Sequence, residues 1–147
     1  MNDKPIVRYW HLWTDSDGIS RQTQCTIDHF DLKSIQPAID AQWQGKKTSG
    51  AMSVMVTVLP VGWVAGWHEN PKPQWIIPLS GCWYVEAMDG TRVELGAGEV
   101  SFGGDQNCLE ADGKRGHESG TVGDVPAVLM IVQFDTVPAP ASPCEYR

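Results

Sequence analysis

The chain has 147 residues, in the range of one domain: enough to bury a core, but too few for a catalytic domain joined to a separate binding domain. It carries 18 acidic against 11 basic residues, a formal charge of -7, with no local cluster of Lys or Arg, so neither nucleic acid nor a membrane surface is an expected partner. The 15 glycines and 10 prolines are spread between short apolar runs, which points to many turns and an all-β protein.

No stretch approaches the roughly 18 uninterrupted apolar residues of a membrane span. The opening MNDKPIVRYW has neither the apolar centre nor the cleavage site of a signal peptide, so a cytoplasmic location is expected. Cys25, Cys82, Cys108 and Cys144 are far apart and form no C-x-x-C pair, so four free thiols are expected. Cys108, in a Gly-rich segment, is the one most open to reaction.

In chain order, Ile6 to Trp13 reads as a strand, Asp15 to Gly18 as a turn, and Thr23 to Phe30 as a second strand, giving an N-terminal hairpin arm within residues 1–50. Residues 36–50 are polar and punctuated by Gly and Pro, a loop with room for one helical turn. From Ala51 the texture changes to AMSVMVTVL, GWVAGWHEN, QWIIPLSG, CWYVEAM, TRVEL and EVSF, short strands at the spacing of a sandwich or barrel. Asp89-Gly90 signals a two-residue hairpin with both central positions at positive φ. A Gly-rich acidic loop over 103–116 leads to His117, and AVLMIVQF reads as a last strand buried on both faces. The tail over 136–147 carries three prolines and is expected to run extended over the surface or a neighbouring subunit. The whole is one domain over 1–147 with its core at about 51–134.

Strand parity puts His68 and Asn70 on one face and Trp67 and Glu69 on the other. Beyond the turn at Pro71-Lys72-Pro73, Gln74, Ile76 and Pro78 share a face. If that turn returns the chain beside itself, His68, Asn70 and Gln74 converge. Trp67 and Trp75 then lie opposite them, against the other sheet or a partner subunit.

Gly62-x5-His68-x-Asn70-x3-Gln74-x6-Gly81 resembles the first motif of the cupin superfamily, with Asn70 in place of its second histidine and Gln74 in place of its glutamate. Leu95-Gly96-Ala97-Gly98-Glu99-Val100 is similar to the turn opening the second motif, and His117 resembles that motif's histidine, delayed by about ten residues across an insertion. The resemblance covers roughly 51–134. It implies a cupin-type double-stranded β-helix, a jelly-roll barrel, often dimeric, with a pocket inside.

In metal-bearing members the corresponding positions bind iron, manganese, nickel or zinc. Carried over, they make His68, Gln74 and His117, with Asn70, the candidate metal set. An amide oxygen is a weak neutral ligand, so a divalent metal is expected to be weakly held or absent. A carboxylate of the insertion, Asp105, Glu110 or Asp112, could complete a two-His, one-carboxylate site. The same carboxylates could instead serve metal-free proton transfer, with Asn70 and Gln74 holding an oxyanion.

The catalytic candidates are thus His117, His68, Asp105, Glu110 and Asp112. A small ligand would meet Asn70, Gln74, Ile76, Val54, Val56, Phe102 and Met130, with Arg115 or Lys114 as the nearest cation for a substrate carboxylate. His11 and His29 are expected to be structural or surface residues.

Three functions fit. The leading one is an enzyme acting on a small organic molecule by proton transfer, of isomerase, lyase or decarboxylase type. The others are a metal-dependent dioxygenase using His68, His117 and a loop carboxylate, and a non-catalytic small-molecule binding or sensing module. The partners expected are a small-molecule ligand and a second copy of the chain, as a homodimer.

Overall fold

A computed structural model describes residues 3–136 and 142–145. The β-branched and aromatic runs form twelve strands: β1 (Val7–Thr14), β2 (Ser20–Ile27), β3 (Phe30–Lys33), β4 (Gln42–Gly45), β5 (Met52–Leu59), β6 (Val64–His68), β7 (Gln74–Ser80), β8 (Cys82–Ala87), β9 (Arg92–Gly96), β10 (Ser101–Gly104), β11 (His117–Val122) and β12 (Ala127–Phe134). The described residues contain no helix, and so none long and apolar enough to cross a membrane.

The strands make a six-stranded sheet in the order β2-β1-β10-β7-β12-β5, a four-stranded sheet β6-β11-β8-β9, and a small β3-β4 hairpin. Neither large sheet closes into a barrel; instead they share a core. Leu12, Leu59, Ile76, Ala127 and Leu129 from the first pack with Trp83, Val85, Ala87, Val93 and Leu95 from the second. Leu95 and Ala87 are fully buried, and truncating Leu95 to Ala would cost about 2–5 kcal/mol through the cavity left.

The N-terminal hairpin forms where expected, but it is no peripheral arm. β1 pairs in parallel with β10 through Trp10↔Ser101 to Trp13↔Gly104, so the first strands belong to the main sheet. In its turn the Asp15 carboxylate accepts the Asp17 and Ile19 N–H groups. The segment 36–50 contains β4 and no helical turn. At Asp89-Gly90 only Gly90 has positive φ, and the Gly90 N–H donates to the Ala87 carbonyl; the connection is a longer turn than the two-residue form expected. β12 buries Ala127, Leu129 and Phe134, but Val128 and the residues from Met130 to Gln133 are only half-buried, against the expectation of burial on both sides.

Outside the six-stranded sheet, Tyr9, Cys25, Phe102 and Phe134 form a second cluster with Trp75 and Cys144. Cys25 and Cys144 are disulfide-bonded, which corrects the expectation of four free thiols; Cys82 and Cys108 are free. Disulfides persist in oxidising surroundings, so cysteine usage no longer supports the cytoplasmic expectation. The bond holds the Ser142–Glu145 end of the tail on β2; residues 137–141 and 146–147 of the tail expected to run extended lie outside the described residues. His11 is fully buried here, its Nδ1 accepting the Cys144 N–H at 3.2 Å and its ring edge-on to Phe102. Burial pulls its pKa down to about 4, against the opposing pull of Glu145.

Candidate functional site

The site is built where β7, β10, β11 and the end of β6 meet. β11 pairs with β6 so that His117 stands opposite His68, and their ring centroids are 4.5 Å apart. His117 is buried and His68, on the edge strand, is exposed. On the facing sheet, Gln74 shares the inward face of β7 with Ile76, and Gln133 shares that of β12 with Leu129 and Ile131.

One buried carboxylate organises the cluster. Asp105 follows directly on β10 and is fully buried. Its Oδ2 accepts from His117 Nδ1 at 2.7 Å, while its Oδ1 accepts the Asn70 N–H at 3.0 Å and the Asn70 side-chain amide at 2.8 Å. The amides continue in one direction: Gln74 Nε2 donates to Asn70 Oδ1 at 2.6 Å, and Gln133 Nε2 donates to Gln74 Oε1 at 2.9 Å. Each bond fixes which end of the next amide faces it, so the chain leaves both Asn70 donors for Asp105.

Burial works to raise the Asp105 pKa, but His117 and Asn70 more than offset it, and the carboxyl is held below the ordinary carboxylate value. An ionised carboxylate only accepts, so the proton between them sits on His117 Nδ1. His117 Nε2 is then the basic nitrogen, and it has no protein partner among the described residues. His68 takes the same tautomer for another reason, since its Nδ1 donates to the Gly66 carbonyl at 2.6 Å. Both imidazoles thus have Nδ1 committed to an oxygen.

Two glycines make room for this packing. A Cβ at Gly103 would run into the Asn70 amide, and one at Gly116, where φ is 78°, would strike the His68 carbonyl. The 105–116 loop is pinned rather than loose: Glu69 accepts the Cys108 N–H at 2.7 Å and pairs with Arg115, and Thr14 donates to the Gln106 carbonyl. Cys108 is buried, which pushes its thiol pKa up, so it is no reactive thiolate.

Of the candidate catalytic residues, His68, His117 and Asp105 come together, while Glu110 and Asp112 are exposed on the loop. Asn70 and Gln74 join the cluster as the amides that hold Asp105. Ile76 is a core residue beside it. Phe102 lies on the other side of the sheet, in the cluster with Tyr9 and Phe134, so it cannot line the site. Met130 pairs with Val56 and Ile77 on that outer face, and Val54 and Val56 are exposed there; all three are corrections, because the inward residues of β12 and β5 have the opposite parity. Arg115 is taken by Glu69, and Lys114 sits over the Trp67 ring.

The oxygen donors of the expected metal set are engaged within the protein. Gln74 Oε1 and Asn70 Oδ1 already accept hydrogen bonds, both Asp105 oxygens are engaged, and no three of His, Cys, Asp or Glu among the described residues are grouped to share a cation. Gln133, which completes the amide chain, escaped the sequence reading; its one signal is being the only hydrogen-bonding side chain in AVLMIVQF. No family model matches this chain, and a search of curated proteins finds no relative.

Proposed function

We propose that this protein is an enzyme of cupin-type ancestry in which His117, oriented by Asp105, moves a proton on a small organic molecule bound beside His68. The observation that carries the reading is the 2.7 Å bond from His117 to a fully buried carboxylate that His117 and Asn70 together hold below the ordinary carboxylate value. A buried carboxylate fixes the tautomer of an imidazole and stabilises the imidazolium formed when Nε2 takes a proton, which suits a general base in isomerisation, elimination or decarboxylation. His68 Nε2, its ring against that of His117, is placed to accept a second hydrogen bond from the substrate or to return the proton.

The cupin-type reading is supported by the opposed histidines on β6 and β11, by two sheets sharing one core, and by the framing turns at Gly62 and Gly81, both at positive φ. The metal-dependent alternative has less support, since the amide and carboxylate oxygens are committed to one another and only the Nε2 atoms of the two imidazoles are left. The non-catalytic module is separated by experiment. Small carboxylic acids and phenols are screened by thermal shift and each hit is assayed for turnover. Turnover lost in Asp105→Asn while binding persists supports the enzyme; hits that bind without product in the unmodified chain leave the binding module.

A further inference from the structure

The hairpin that follows β2 draws together lysines from separate stretches of the sequence. β3 and β4 pair from Phe30↔Gly45 to Lys33↔Gln42, and the disulfide from β2 to Cys144 holds the tail where Glu145 joins them. The result is a cavity of about 690 Å³ in which Lys4, Lys33, Lys46 and Lys47 meet Asp31 and Glu145. Four of the six lysines therefore line one cavity, in a chain whose formal charge is -7. Both carboxylates are engaged: Asp31 pairs with Lys33 at 2.9 Å, and Glu145 accepts the Ser142 N–H at 3.2 Å and its hydroxyl at 2.7 Å. Lys4, Lys46 and Lys47 form no ion pair among the described residues, and His29 faces Asp28 at 3.5 Å. Four ammonium groups against two carboxylates leave two positive charges uncompensated. The Asp31 carboxyl reports the same field, since Lys33 first, and then Lys4 and His29, hold it below the ordinary carboxylate value. Phe30, half-buried, supplies an apolar wall; its ring lies so close over Gly45 that a Cβ there would come within 3.4 Å of it.

We propose that this cavity binds a small phosphate monoester, with its phosphoryl group held by Lys4, Lys46 and Lys47 and its organic part against Phe30. Three arguments select that ligand. A phosphate monoester carries about -1.5 to -2 charges at neutral pH, which matches the two uncompensated positive charges, whereas a carboxylate supplies only one. The lysine ammonium is a compact charge with three donors, suited to phosphoryl oxygens. The volume falls within the roughly 300–1,000 Å³ of small-molecule sites, more than an inorganic ion would fill. An extended polyanion fits worse. Exposed charges are screened beyond about 8–10 Å, so a small ligand senses only these lysines, while a nucleic-acid strand runs on to the acidic surface and is repelled. The cavity shares no residue with the His117 cluster, so the proposal stands apart from the proton-transfer reading.

The test is a titration of the full, disulfide-bonded chain with phenyl phosphate, followed by ¹H–¹⁵N amide shifts, which also locate the ligand. Shifts should concentrate at Phe30 to Lys33 and Gln44 to Lys47 and saturate with Kd below about 1 mM. Lys46→Gln and Lys47→Gln should each weaken binding about threefold and together about tenfold, with an unchanged circular dichroism spectrum. Lys4→Gln, on the other wall, should weaken it about threefold too and stands in if the double variant fails to fold. Lys72→Gln, whose ammonium pairs with Asp135 instead, should bind as the unmodified chain does. Phenol should leave these amides unmoved at the same concentrations, and inorganic phosphate should bind at least tenfold more weakly. Shifts confined to the surroundings of His68 and His117, or equal loss in Lys72→Gln, overturn the proposal. Equal affinity for inorganic phosphate reduces the cavity to a site for an adventitious ion only and overturns it as well. A chain that takes a single-stranded oligonucleotide at these amides more tightly than phenyl phosphate assigns the lysines to nucleic acid and overturns it too.

Discussion

His11 and His117 are both buried, one in the aromatic cluster outside the six-stranded sheet and the other in the polar cluster between the sheets. His11 meets Phe102 and the Cys144 N–H, and burial pulls its pKa down to about 4, so it is a neutral packing element near pH 7. His117 meets a buried carboxylate that is itself held by two amide donors. Desolvation alone makes an imidazole inert; desolvation with an ionised partner makes it directional, with one nitrogen committed and the other available. The chemistry is therefore assigned to His117 and the packing to His11.

The largest expected effect comes from removing the proposed base. His117→Ala should abolish turnover of any substrate found by the screen. It should also cost about 3–5 kcal/mol in urea unfolding, because Asp105 is left buried without its partner. Asp105→Asn keeps the shape but frees the tautomer, and should lower kcat by roughly 10²–10⁴-fold, with a smaller change in KM. Gln74→Ala removes the donor that orients Asn70; it should cost about 1–3 kcal/mol and let the Asn70 amide turn away from Asp105, read as a partial loss of kcat.

A pH series sharpens the contrast between the two histidines. The unfolded chain protonates His11 near its ordinary 6.5, the folded one only near 4, so between these values the unfolded state binds more protons. Stability is full above pH 6.5 and falls as pH drops towards 4, a loss on the order of 3 kcal/mol. His11→Phe should remove that step from the stability curve and leave turnover unchanged. Asp105 acts lower on the scale: its depressed pKa adds stability that is present above the ordinary carboxylate value and lost as pH falls through the folded one. The smallest effects are expected from Glu110→Ala and Asp112→Ala, both exposed, with activity and stability within error of the unmodified chain.

Much of this was legible before the fold. Apolar runs split by Gly and Asp located the strands, and period-two parity joined His68, Asn70 and Gln74, because both signals are local. Parity also put Trp75 on the side away from Gln74, where it packs on Tyr9 and Phe102. What was not legible depends on pairing across the chain. Phe102 and Met130 are apolar residues in the right strands on the wrong face, and one residue of phase decides that. Nothing local says that β1 runs parallel to β10, or that Cys25 meets Cys144 across 119 positions. Asp105 could be named but not preferred over Glu110 and Asp112, since only the fold buries one carboxylate and exposes the others.

The most direct measurement needs no substrate. A long-range ¹H–¹⁵N correlation spectrum of the imidazoles at neutral pH, with His117→Gln used to assign the signals, reads the tautomer of His117. The account requires the proton on Nδ1, Nε2 unprotonated, and loss of that preference in Asp105→Asn. A His117 protonated on Nε2, or a tautomer indifferent to Asp105, would contradict it.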